Sequence, residues 1–279
     1  MLKIRSITAT TTLKNSETKP FKSLQKEFDE NGNLLSEIKY NKDGEITSRH
    51  YNIYNDKALL EKSEYVDNEH ETSETHEYFY DDNGNLIKET TDFGQGFLSV
   101  FVFEKDFKNN QIRIIEQDED DEIEETKVQT FDEDGNLLEE ISYNDANKEI
   151  LKTINIFDHN KRIIKKEEHD LRYKTVQIHE YYYSNEGLLE GIKSVNKKGR
   201  LLNWVKIEYD ENKRPTQQTS MNGALISIEY DGDNKRKEKH LDAGGNVVFE
   251  SELELNEKGN VIVEHSPENI IHYTYEYFD

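Results

Sequence analysis

Apolar and polar positions alternate with a period of two along most of this chain, which is the pattern of half-buried β-strands rather than helices. After Gly135, Leu137, Ile141 and Tyr143 fall on one parity, while Glu140 and Ser142 fall on the other. After Gly245, Val247, Phe249, Leu253 and Leu255 share a parity opposed to Glu250, Glu252 and Glu254. A recurring octet separates such runs: Phe131-Asp132-Glu133-Asp134-Gly135-Asn136-Leu137-Leu138. Close relatives are Phe28-Asp29-Glu30-Asn31-Gly32-Asn33-Leu34-Leu35 and Tyr80-Asp81-Asp82-Asn83-Gly84-Asn85-Leu86-Ile87. An Asp before a two-residue bend closed by Gly is the signature of a type I turn. The carboxylate accepts backbone N–H groups, and Gly takes the left-handed conformation that other residues resist. Such a turn joins neighbouring antiparallel strands. The expected product is a one-sided ribbon of hairpins.

The octet marks an internal repeat. Phe28, Tyr80, Phe131, Tyr183 and Tyr230 are spaced by 52, 51, 52 and 47 residues, and Phe278 follows 48 later. Within a unit, Phe28, Tyr40 and Tyr54 are spaced by 12 and 14, as are Phe131, Tyr143 and Phe157. Five tandem units of about four strands follow, starting near residues 28, 80, 131, 183 and 230. The expected organisation is one repeat domain over residues 28–279, preceded by a capping segment at residues 1–27.

Four-stranded units of this length also fit the blades of a five-bladed β-propeller. Stacked blades bury both faces of their middle strands, whereas the second parity here is mostly Glu, Lys, Asn and Thr. A closed ring of some twenty strands at ~4.8 Å spacing leaves a lumen that side chains do not fill. The expected fold is therefore an all-β antiparallel meander curled into an elongated strip, its apolar face packed on itself.

The Tyr-Asp-x-x-Gly-Asn-Leu repeats resemble those of YD-repeat (Rhs-type) proteins over roughly residues 28–279. The resemblance implies long antiparallel sheets that curl into strips or shells. In large members such shells enclose polymorphic toxins, and the repeats are linked with carbohydrate binding. This chain departs from that picture: 279 residues are too few for a full shell. The turn Tyr209-Asp210-Glu211-Asn212-Lys213-Arg214 also lacks its Gly.

Composition narrows the class. Hydrophobic residues make up 33% and charged residues 34%, too polar a balance for a deep two-sided core. The 16 Tyr and 12 Phe supply large area per residue instead, and they suit pleated sheet. Met1–Thr8 has no apolar run of secretory-signal length, and no stretch approaches the ~18 apolar residues of a membrane helix. A soluble, cytoplasmic chain is expected. Zero cysteines exclude disulfides and thiol catalysis. A net charge of −23 disfavours nucleic acid and anionic membrane as partners, and favours a cationic protein.

One region breaks the alternation. Phe97-Leu98-Ser99-Val100-Phe101-Val102-Phe103 is apolar on both parities, and eight acids follow within residues 116–125. The plain reading is a strand buried on both sides and then a solvated loop. The functional reading is an acidic prong beside an apolar patch, suited to a basic partner. Its candidates are Glu116, Asp118, Glu119, Asp120, Asp121, Glu122, Glu124 and Glu125, with Phe97 and Phe101. The single Trp204 is a further candidate, either packed under a fold-over of the sheet or exposed as a stacking platform for a glycan.

No catalytic constellation emerges. His76-Glu77 and His179-Glu180 lack the second His of a zinc helix and run into aromatic triplets at equivalent repeat positions. The Asp-x-Asn-Gly turns lack the downstream Glu of a calcium loop. Gly94-Gln95-Gly96 lacks the third Gly and the strand-turn-helix context of a dinucleotide site. The expectation is no enzyme, no cofactor and no metal, but a protein-binding module. Its sharpest form is an immunity-type partner that neutralises a basic toxin. The alternatives are a carbohydrate- or cell-surface-binding repeat protein and a fragment of a toxin-enclosing shell.

Overall fold

The computed structural model describes residues 3–94 and 96–279. Its regular elements are all strands. The first seven are β1 (Ile4–Leu13), β2 (Phe21–Phe28), β3 (Leu34–Tyr40), β4 (Ile46–Tyr54), β5 (Leu60–Asp67), β6 (Thr72–Tyr80) and β7 (Leu86–Asp92). Next come β8 (Leu98–Asp106), β9 (Gln111–Gln117), β10 (Ile123–Phe131), β11 (Leu137–Asn144) and β12 (Glu149–Phe157). They continue as β13 (Ile163–Asp170), β14 (Thr175–Tyr183), β15 (Leu189–Asn196), β16 (Leu201–Tyr209) and β17 (Pro215–Ser220). The last are β18 (Leu225–Asp231), β19 (Lys235–Leu241), β20 (Val247–Leu255), β21 (Val261–His265) and β22 (Asn269–Tyr277).

Two compact units are present. One comprises Met1–Ser99, Glu229–Lys239 and Phe249–Asp279, and the other Val100–Ile228 and His240–Val248. In the first, β1 to β7 pair in sequence order as antiparallel neighbours. Here β22 also lies antiparallel to β1, from Ile4 opposite Tyr277 to Leu13 opposite Asn269. In the second, β8 to β17 form an unbroken antiparallel meander.

The elongated strip is therefore wrong, and so is the five-bladed propeller. All twenty-two strands belong to one sheet whose first strand pairs with its last. The strand connectivity is that of a closed antiparallel β-barrel. Closure pairs the backbone edge that a strip would leave open on β1 and β22. The objection drawn from strand number assumed that a closed ring must be filled by side chains, which barrels of many strands do not require.

The turns form as the sequence implies. Oδ1 of Asp132 accepts the N–H groups of Asp134 and Asn136 at 3.0 and 2.8 Å, and Asn136 Nδ2 donates to Oδ2 at 2.8 Å. Gly135 has φ of 83°. The turn without Gly keeps this geometry: Lys213 takes φ of 64°, and Arg214 replaces Asn as donor to Asp210 at 2.8 Å.

A β-bulge follows most of these turns, as where Tyr183 lies opposite Leu189 with a register shift. The bulge carbonyls are bound by side chains from beyond the partner strand. Tyr54 Oη donates to Leu34 O at 3.2 Å, Tyr80 to Leu60 at 2.7 Å, Tyr183 to Ile163 at 2.9 Å and Tyr209 to Leu189 at 2.8 Å. Where the turn-leading residue is Phe157, Asn155 Nδ2 takes over and donates to Leu137 O at 2.9 Å. The turn-leading tyrosines thus clamp the preceding hairpin.

The faces are less sorted than the alternation suggests. Directly opposed residues share a face, and Ile141 lies between Val128 and Lys152, with Lys152 next to His169. Leu253 opposes Glu264. Each face is a mosaic. Among the described residues no large side chain is fully buried. The buried set is small: Ala9, Val100, Ile115 and Val195, with polar residues such as Ser63, Thr91, Ser142 and Ser194. The stretch read as buried on both sides is only partly so: Val100 is buried, but Leu98 is exposed.

Candidate protein-binding surface

The acidic stretch forms the β9–β10 hairpin rather than a separate prong. Asp118 is spent on the turn, its Oδ1 accepting the N–H groups of Asp120 and Glu122 at 2.9 Å each. Asp121 takes the left-handed position at φ 62°. Glu119, Asp120, Asp121, Glu122 and Glu124 are left exposed around the bend. Glu116 and Glu125 oppose each other on adjacent strands with Phe101 beside Glu116, so the three share one face. Lys127 Nζ reaches Glu125 at 3.4 Å. Phe97 lies before β8 and is 69% exposed.

That face continues across the second unit. The row Gln129, Glu140, Thr153, Glu168, Gln177 and Asn196 runs from β10 to β15, and the adjacent row carries Lys127, Ser142, Leu151, Asp170 and Thr175. Together these rows line a concavity of about 760 Å³ with Glu125, Glu140, Glu168 and Asp170 as its carboxylates. The Lys166 ammonium, 2.5 Å away, holds the Glu168 carboxyl below its usual range. The hydrogen bond from Arg172 does the same for Asp170. Both stay ionised at neutral pH. The sequence pointed to the hairpin but not to this concavity, because its acids come from strands far apart in the chain.

Histidines form a second recurring feature. His179 Nδ1 lies 2.9 Å from Ser194 Oγ, and its Nε2 lies 3.1 Å from Glu168 Oε2. His76 meets Thr91 at 3.0 Å, and His50 meets Ser63 at 2.7 Å. The Ser-His-Glu arrangement has the composition of a hydrolytic triad, but Ser194 is 6% exposed and closed to substrate. Its recurrence at equivalent repeat positions marks a cross-strand hydrogen-bond device. Among the described residues no group of three or more His, Asp or Glu is placed to hold a metal ion.

Trp204 stands on the opposite face. Lys193 lies between Glu180 and Trp204, and Gly191 between Tyr182 and Lys206. Tyr182 and Trp204 therefore flank a position without a side chain, bounding an almost wholly apolar groove of about 310 Å³.

The family model for the MORN repeat variant matches residues 23–42 and 124–145. These segments are the β2–β3 and β10–β11 hairpins with their Asp-x-x-Gly-Asn turns. The chain is thus a repeat-containing all-β protein. Comparison with curated proteins finds no match. Among solved structures, the crystal structure of TcdB2-TccC3-Cdc42 aligns over 95% of this chain at 12% identity and a TM-score of 0.37. This chain spans 15% of that one. A porin-like protein from Bacteroides uniformis aligns over 98% of both chains at 11% identity and a TM-score of 0.34.

Proposed function

We propose that this chain is a non-catalytic protein-binding repeat module that captures a cationic protein on the acidic face of β9 to β15. The observation that carries this reading is the concavity, in which four carboxylates from three hairpins converge beside the exposed acidic turn. The net charge of −23 extends the same field over the molecule and speeds encounter with a basic partner. In its sharpest form the module neutralises a basic toxin, as an immunity protein does.

The test is titration calorimetry against basic toxin domains of the producing organism, over a salt series. Affinity falls about tenfold or more between low and physiological salt, because the contacts are ionic and partly exposed. The double variant Glu125→Lys/Glu140→Lys binds more weakly still, with its circular dichroism unchanged. Binding indifferent to both salt and charge reversal would sink the proposal.

A further inference from the structure

The aromatic groove on the other face has no part in that acidic surface. Its floor is Gly191, where a Cβ would come within 2.9 Å of the Val205 carbonyl oxygen, so the position is held bare by the neighbouring backbone. One wall is Tyr182, 49% exposed and steadied by its hydroxyl, which donates to Glu180 Oε2 at 2.8 Å. The other wall is Trp204. The charged rim is already paired: Lys193 with Glu180 at 3.5 Å and Lys206 with Glu208 at 2.6 Å. The indole N–H of Trp204 donates to no described residue.

These features select among guests. An ion gains little, because the rim charges cancel in pairs. A sugar needs several convergent hydrogen-bonding groups to replace its hydration, and the rim groups here are engaged with one another. A prolyl ring needs only flat apolar walls, and the backbone of a polyproline II segment offers carbonyls to a free indole donor. We infer that the Tyr182–Trp204 groove receives a proline-containing extended segment of the partner protein, with the indole N–H of Trp204 donating to a carbonyl of that segment. The inference rests on the protein-binding reading and adds a second, charge-independent contact to it.

Trp204 is the single tryptophan, so its fluorescence reports this groove alone. The full chain is titrated with a proline-rich peptide flanked by arginines, with the same peptide carrying alanine for proline, and with a neutral oligosaccharide. The expected result is a saturable emission shift with the proline peptide, and affinity about tenfold weaker for the alanine peptide. Tyr182→Leu, with unchanged circular dichroism, abolishes the shift. Shifts of equal midpoint with both peptides overturn the inference, as does a shift with the oligosaccharide alone or with no ligand. Calorimetry on the same peptides separates the two proposals. Salt-sensitive binding of the alanine peptide without any change at Trp204 leaves the acidic-face reading standing and removes only this one.

Discussion

At the scale of single residues, the tyrosine clamp and the aspartate turn account for the repeat motif. Each clamp satisfies a bulge carbonyl, so Tyr183→Phe and Tyr80→Phe each lower stability by about 1 kcal/mol, the net worth of one hydrogen bond. Urea denaturation of the two variants measures it, and a pair of unchanged midpoints would leave the clamp without energetic content. Lys213 holds a left-handed backbone that favours glycine. Lys213→Gly relieves that strain by more than it loosens the unfolded chain, a net gain of about 0.5 kcal/mol in the same assay. The turn aspartates also make stability depend on pH. The Asn136 amide on Asp132, the Arg162 guanidinium on Asp158 and the Asn246 amide on Asp242 each hold the carboxyl below its ordinary value. A carboxyl lowered in the folded state contributes stability that is full above its unfolded value and lost as pH falls through the folded one. Unfolding midpoints therefore hold steady from neutrality to about pH 4 and drop below it. Asn41, Asn55 and Asn196 already make the same turn with an amide oxygen, so Asp132→Asn keeps the fold and blunts the acid transition.

Hairpins are the elements, and their turns were legible because the chemistry is local. Asp, Gly and Asn within five residues fix one turn whatever lies elsewhere. The β9–β10 hairpin shows the limit of that legibility. Its acids stood out as a run, yet Asp118 is engaged in the turn, and the concavity draws Glu140, Glu168 and Asp170 from other hairpins. No local signal placed those acids together, since cross-strand register depends on the bulges and on pairing across many residues. The groove at Trp204 was half legible: the indole was noticeable by its rarity, but Gly191 and Tyr182 became its neighbours only through the registers of β14, β15 and β16.

For the whole molecule, closure is the consequential feature. Pairing of β1 with β22 leaves neither strand as an open edge. Deleting residues 230–279 removes the partner of β1 and exposes its backbone groups, which then template association. Light scattering on the truncated chain shows aggregation, where the full chain stays dispersed. A monomeric truncation with cooperative unfolding would mean that the β1–β22 pairing contributes little.

Strand identity, turn type and the roughly 50-residue repeat were written in the order of the amino acids, because alternation and turn chemistry act over a few residues. Whether the ribbon stays open or closes, and which charges meet on a face, was decided only in three dimensions. Both depend on pairing between residues distant in the chain, Ile4 with Tyr277 at the extreme, and no period of two carries that information.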